Sequence, residues 1–278
     1  MLLNHINPSP ILAEYIRLYR IIDFFFEDHL SIPPKLYSPR PEHCLQFYPR
    51  DTESVIYPGS DIAIANKRAT LVGQHTVLQH RYVGKSFLSF QVVFQPTALY
   101  RLTGMPLNEL ANVYMDASDI FGNGIHQVNE QLFDACSYDE MVRIVEAFLV
   151  ELSGKNGRRK TMQPIDHATN RMLNAEENFG VDTFLKQSYL SHRQFDRSFQ
   201  ERVGISPKQF LQVIRFDKAY RLKNKFPKMD WLTVAVQCGY HDYQHLVKEY
   251  KHFTGHTPTR FFALDNNAPE RLFGDAET

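Results

Sequence analysis

Two spacings of apolar residues divide the chain. Over roughly the first hundred residues, apolar and aromatic runs of strand length alternate with Pro, Gly and Asp turn signals. The runs at 19–26, 44–48, 54–57, 69–73 and 87–94 predict the β-strands of a sandwich or barrel. From about Leu107 the period lengthens. Between 139 and 152, Met141, Ile144, Val145, Phe148, Leu149 and Leu152 form one stripe at helical spacing, which must pack on its own domain or on the same helix of a second subunit. Ser153 to Lys160 then brings two glycines and four cations with no apolar residue, a linker composition. Beyond it the pattern is helical throughout: 164–178, a short helix at 182–187, a polar helix at 191–202, a long one at 207–225, then 231–238 and 242–253. Ser206-Pro207 supplies the N-cap and first-turn proline of the long helix.

The helical half repeats itself. Phe195, Phe199, Gly204, Ser206, Pro207 and Phe210 recur 51 residues later as Leu246, Tyr250, Gly255, Thr257, Pro258 and Phe261. Upstream, Phe184, Leu185 and Leu190 answer Val234, Ala235 and Tyr240. Each unit reads as a short helix, a tight turn and a second helix with a narrow buried seam, the anatomy of a helix-turn-helix. A plain all-α domain with two solvated amphipathic helices leaves this repetition unexplained. The seams turn His192, Arg193, Asp196, Arg197 and Gln200 outward in the first unit, and Tyr243, Gln244, Val247, Lys248 and Lys251 in the second. Arg, Lys and Gln are the donors that contact base edges and phosphates. The linking helix of 19 residues, about 28 Å at 1.5 Å per residue, suits a spacer between reading helices that address consecutive major-groove segments about 34 Å apart.

Charge supports a polyanionic partner. The net charge is zero, yet residues 1–154 hold 11 Lys and Arg against 17 Asp and Glu, whereas residues 155–264 hold 19 against 10. The expected organisation is an acidic sensor or dimerisation domain at 1–153, a linker at 154–161, a basic reader at 162–264 and a tail at 265–278. Its fold class is α+β, a β-sandwich or barrel followed by helices, joined to an all-α domain with two helix-turn-helix units. The composition, 43% hydrophobic and 22% charged, is that of a folded globular protein. No apolar run reaches the length of a membrane span and no export signal opens the chain. Three cysteines without CxxC spacing suit a reducing, cytoplasmic compartment.

Residues 162–264 resemble the DNA-binding domain of the AraC family of bacterial transcription regulators. The resemblance rests on Leu190-Ser191, Phe195, Arg197, Phe199 and Gly204-Ile205-Ser206-Pro207, then on Arg215 and Ala219 of an Arg-x-x-x-Ala element. In the second unit it rests on Ala235, Cys238-Gly239-Tyr240, Asp242, Leu246, Lys248, Tyr250, Gly255 and Thr257-Pro258. It implies a sequence-specific regulator of transcription in which Arg193, Asp196, Arg197, Gln244, Val247 and Lys248 fall at DNA-contacting positions, with RNA polymerase a further expected partner. Two departures stand out: Tyr189 occupies the place of the usual turn glycine, where positive φ would strain it, and Lys248 replaces an arginine. Pro8-Ser9-Pro10-Ile11-Leu12, Tyr15-Ile16 and Leu71-Val72-Gly73-Gln74 resemble the β-rich sensor domains of such regulators.

For a small-molecule effector, Tyr48, Arg50, Tyr57, Phe90 and Phe94 are the candidate lining residues, with a core role as the alternative. A domain that binds only a protein partner is the competing reading of that half. A cupin-like metal enzyme is another, with His43, His75 and His80 as its histidines, but no His-x-His pair with a following Glu occurs. No GxSxG, GxGxxG or P-loop pattern is present. The expectation is a non-enzyme without metal or cofactor.

Overall fold

The computed structural model describes residues 2–27, 31–155, 161–175 and 179–267. The N-terminal half is a two-sheet sandwich with helices on one face. One sheet has six antiparallel strands in the order β1 (Leu2–Ile6), β2 (Ile16–Phe25), β9 (Ser86–Phe94), β4 (Cys44–Phe47), β7 (Ala69–Val72), β10 (Tyr114–Asp116). The other has four, in the order β3 (Lys35–Tyr37), β8 (Gln79–Val83), β5 (Glu53–Ile56), β6 (Ala63–Ile64). The expected runs at 19–26, 44–48, 54–57, 69–73 and 87–94 are β2, β4, β5, β7 and β9. β8 escaped the apolar pattern because its inward residues are Gln79 and Arg81.

Strand alternation gives the six-stranded sheet two chemically different faces. Tyr19, Ile21, Leu45, Phe47, Leu71, Phe90, Val92 and Phe94 point to the helices and share one apolar core with them. The helices are α1 (Ala98–Thr103), α2 (Ser118–Phe121), α3 (Gly124–Asp134) and α4 (Tyr138–Lys155). The opposite face meets the second sheet through a mixed layer: Val72 and Val93 pack on Val55 in a small apolar cluster, while Arg20 pairs with Glu42 at 3.0 Å and Arg81 with Glu53 at 3.3 Å, all buried. Tyr48 and Tyr114 both donate to Glu53 Oε1, at 2.6 and 2.7 Å, tying the sheets together.

The stripe on α4 packs on its own domain: Met141, Val145 and Leu149 are buried in the helical core, while Ile144, Phe148 and Leu152 are half-buried. α4 continues through Ser153 and Gly154 to Lys155, where a linker was expected to begin. The rest of that linker, 156–160, and the tail from 268 onward lie outside the described residues.

The C-terminal half holds seven helices among the described residues: α5 (Pro164–Leu173), α6 (Val181–Ser188), α7 (His192–Val203), α8 (Pro207–Lys225), α9 (Trp231–Gln237), α10 (Tyr243–Thr254) and α11 (Pro258–Asp265). The expected helix at 164–178 ends at Leu173, capped by Asn174. Asp265, first residue of the expected tail, is instead the buried end of α11 and accepts a hydrogen bond from Tyr220 at 2.7 Å. Phe195, Phe199, Phe210, Val213, Phe216, Leu246, Tyr250 and Phe261 form a single core that also takes in Leu78 of the N-terminal half. No helix among the described residues is long and apolar enough to cross a membrane.

The two halves are sealed together by buried groups. His43 Nε2 meets the carbonyl of Val203 at 2.9 Å. Burial lowers the His43 imidazole to about 4 and that of His75 to about 3. Both stay neutral in the fold, whereas an unfolded histidine titrates near 6.5. Below that pH the unfolded chain takes up protons that the fold refuses, so stability falls from about pH 6.5 down towards 4, by roughly 1.4 kcal/mol per pH unit for each histidine. Urea titrations at pH 7.5 and pH 5 are expected to show this loss, and His43→Gln to make its slope shallower. An unchanged midpoint would mean that the histidines are solvated.

Candidate nucleic-acid interface

The two expected reading helices are α7 and α10. Ser191 caps α7 and Gln194 reaches back to it, a capping box that starts the helix at His192. Phe195, Phe199 and Val203 are its buried seam, while His192, Arg193, Asp196, Arg197 and Gln200 are exposed. In α10 the cap is Asp242, whose carboxylate accepts from the backbone N–H of His245 at 2.9 Å. That hydrogen bond holds the Asp242 carboxyl at about 2. Leu246, Tyr250 and Phe253 are buried, and Gln244, Lys248 and Lys251 are exposed. Tyr243 and Val247 are half-buried, and Tyr243 rests against the domain core, so the second face is narrower than the spacing suggested.

Each reading helix is fixed from behind by an arginine. Arg215 of α8 pairs with Glu249 of α10, which also accepts from Tyr240 Oη at 2.7 Å, and the Arg215 guanidinium lies 4.5 Å from the Tyr240 ring centroid. Burial and the Glu249 carboxylate raise the Tyr240 phenol above its usual range. This is the structural use of the Arg-x-x-x-Ala element. In the first unit Arg202 of α7 donates to Asp166 of α5 at 2.9 and 3.1 Å and to Gln163 at 2.8 Å.

The turn between α6 and α7 keeps the helix-turn-helix geometry despite Tyr189. That residue sits at φ 56° with its side chain in solvent, matching Gly239 at φ 76° in the second unit. The strained conformation is tolerated, and the turn does not rearrange around it.

The first reading helix also touches the N-terminal half. Tyr100 of α1 donates to Glu201 at 2.8 Å and stacks under Arg202, whose guanidinium lies 4.7 Å from the ring centroid. The 3₁₀ turn Leu107–Leu110 lies along α7, and Pro106 and Asn108 share a groove with Arg193, Asp196, Arg197 and Gln200. Nothing in the spacing of the sequence announced this neighbour.

The five residues singled out for an effector do not line one cavity. Tyr48 is buried between the sheets and Tyr57 hydrogen-bonds His75 at 2.8 Å. Phe90 and Phe94 face the other way, into the helical core, because β9 alternates and Gln91 and Val93 take the inward positions. Arg50 pairs with Asp23 near Tyr138, on a separate groove. His43 and His75 are committed to Val203, Tyr57 and Gly73, and His80 joins no group of three ligands; among the described residues such a group forms at His241, Asp242 and His245. The last set was missed, although His-Asp-x-x-His around a helix cap is a readable spacing.

A family model described as a helix-turn-helix domain matches residues 185–263, and one described as a domain of unknown function (DUF6597) matches residues 4–116. The HTH-type transcriptional activator RhaR of Salmonella dublin is 28% identical over 93 residues, which span 34% of this chain and 33% of that protein. RhaR of Salmonella schwarzengrund matches at the same identity over the same shares. The chain thus spans about a third of the length of these curated relatives. The DNA-binding domain of AdpA, solved in complex with a target DNA, is 25% identical and covers 41% of this chain and 100% of its own, with a TM-score of 0.36. ToxT from Vibrio cholerae covers 91% of this chain and 98% of its own at 9% identity, with a TM-score of 0.46.

Proposed function

We infer function from the premise that, through its C-terminal helix-turn-helix domain, the chain belongs to the AraC family of transcription regulators, and propose that it binds double-stranded DNA sequence-specifically through α7 and α10. The observation that carries this is the repeated pairing of a buried aromatic or aliphatic seam with an exposed polar face rich in Arg, Lys and Gln. Such a helix can enter a groove without disturbing its own domain. Arg193, Arg197 and Gln200 of the first unit and Gln244, Lys248 and Lys251 of the second carry the contacts, with Tyr243 and Val247 at their edge. A regulator of this kind works in the cytoplasm and acts on RNA polymerase.

Selection of bound fragments from a random DNA pool with the full chain tests the reading. The selected site should bind in a salt-sensitive way. Arg193→Ala should weaken it by about 1–3 kcal/mol while leaving random DNA unaffected if Arg193 reads a base. Equal losses on both would make it a phosphate contact, and the absence of any salt-sensitive binding would end the proposal.

The N-terminal half is the sensor in this reading. Its contact with α7 gives a signal a direct route to the first reading helix. The half-buried Ile144, Phe148 and Leu152 border an open groove with Ile120, Phe121 and Val128, the surface on which a homodimer through α4 would form.

A further inference from the structure

We propose that His241, Asp242 and His245 form a binding site for a divalent transition metal of the zinc class at the tip of α10. The three residues belong to three consecutive structural roles: the end of the turn, the helix cap and the first helical turn. One ligand atom from each lies within 4.8 Å of the others. His245 Nδ1 is 3.1 Å from Asp242 Oδ1, and His241 Nδ1 is 3.4 Å from Asp242 Oδ2. A tetrahedral zinc site with bonds of 2.0–2.1 Å has ligand-to-ligand edges of about 3.3 Å. With Oδ2 as the carboxylate ligand, the edge to His241 is therefore already at length, and the two edges to His245 close by rotation of exposed side chains.

Donor chemistry selects the metal. Two imidazoles and one carboxylate suit zinc, cobalt or nickel, whereas calcium and magnesium want oxygen alone. Asp242 Oδ1 keeps its cap on the N–H of His245 while Oδ2 is directed at His241, so a metal can be taken without uncapping the helix. The side chains are 87%, 45% and 56% exposed in the order His241, Asp242, His245, so an ion has free access and a fourth position stays open to water. His192 beside Asp182, 3.7 Å apart at the start of α7, has only two such groups and is the natural control. The site stands whether or not α10 meets DNA.

The test uses the full chain freed of metal by a chelator and titrated with Co2+. Visible absorption of tetrahedral cobalt should saturate at one ion per chain and vanish on adding Zn2+. His241→Gln and His245→Gln should each weaken binding by at least about tenfold, since losing even an outer partner of a metal ligand costs 10–100-fold. His192→Gln should leave it unchanged, and circular dichroism should confirm that every variant is folded. Absence of a cobalt spectrum, or undiminished binding in the His241→Gln/His245→Gln double variant, would overturn the proposal.

Discussion

Replacing Arg202 by alanine is expected to remove about 3–5 kcal/mol of unfolding free energy, the usual cost of deleting one partner of a buried ion pair. Asp166 is fully buried, and Arg202 supplies two contacts to its carboxylate. Without the guanidinium that charge stays out of water and loses the cation hydrogen-bonded to it. The same truncation takes away the Gln163 hydrogen bond and the contact with the Tyr100 ring, so α5, α7 and the N-terminal half lose their common anchor. Urea unfolding of the full chain measures the loss. The double variant Arg202→Met/Asp166→Asn separates charge from packing: with both charges gone, the shape kept and an amide oxygen left to accept from the Gln163 N–H, much of the stability should return. If the double variant is as weak as the single one, packing around Tyr100 outweighs the ion pair. Arg193→Ala, exposed on the same helix, should leave the unfolding midpoint within about 0.5 kcal/mol of the parent, which keeps DNA binding and stability apart as readouts.

The C-terminal half was legible because its signals are local. Phe195 and Phe199, four apart in a polar stretch that recurs 51 residues on, read as a helix seam, and Ser206-Pro207 and Thr257-Pro258 stand where the structure starts helices at Pro207 and Pro258. The N-terminal half was legible only where a strand buries apolar groups. β9 reads Phe-Leu-Ser-Phe-Gln-Val-Val-Phe and is evident, whereas β8 buries Gln79 and Arg81 and reads as loop. Ionic and amide groups share the space between the sheets with Val55, Val72 and Val93, and hydrophobic periodicity is blind to them. The effector residues failed for a related reason: aromatic character does not say which face of a strand a side chain occupies, so Tyr48 and Phe90 were grouped although they point to opposite sides. The docking of α7 on the N-terminal half was invisible because its partners, His43 with Val203 and Tyr100 with Glu201, are more than a hundred residues apart in sequence.

That docking can be tested at a glycine whose counterpart in the second repeat serves as an internal control. Gly204 ends α7 at φ +96°, and Gly255 ends α10 at φ +74°, so alanine at either position pays the strain of a left-handed backbone, roughly 1–3 kcal/mol. Only Gly204 has a neighbour. A Cβ there would lie 2.7 Å from the carbonyl oxygen of Leu107, a backbone atom in the 3₁₀ turn, while a Cβ on Gly255 meets nothing within 4 Å. Gly204→Ala should therefore cost about 2–6 kcal/mol, with the excess of about 1–3 kcal/mol over Gly255→Ala arising from overpacking between the halves. Urea midpoints of the two variants give the comparison. Because the clash is relieved by moving the 3₁₀ turn off α7, Gly204→Ala should also make the Leu107–Leu110 backbone amides exchange with deuterium faster. Equal costs at the two glycines, with unchanged exchange at that turn, would show that the N-terminal half does not grip the first reading helix in solution.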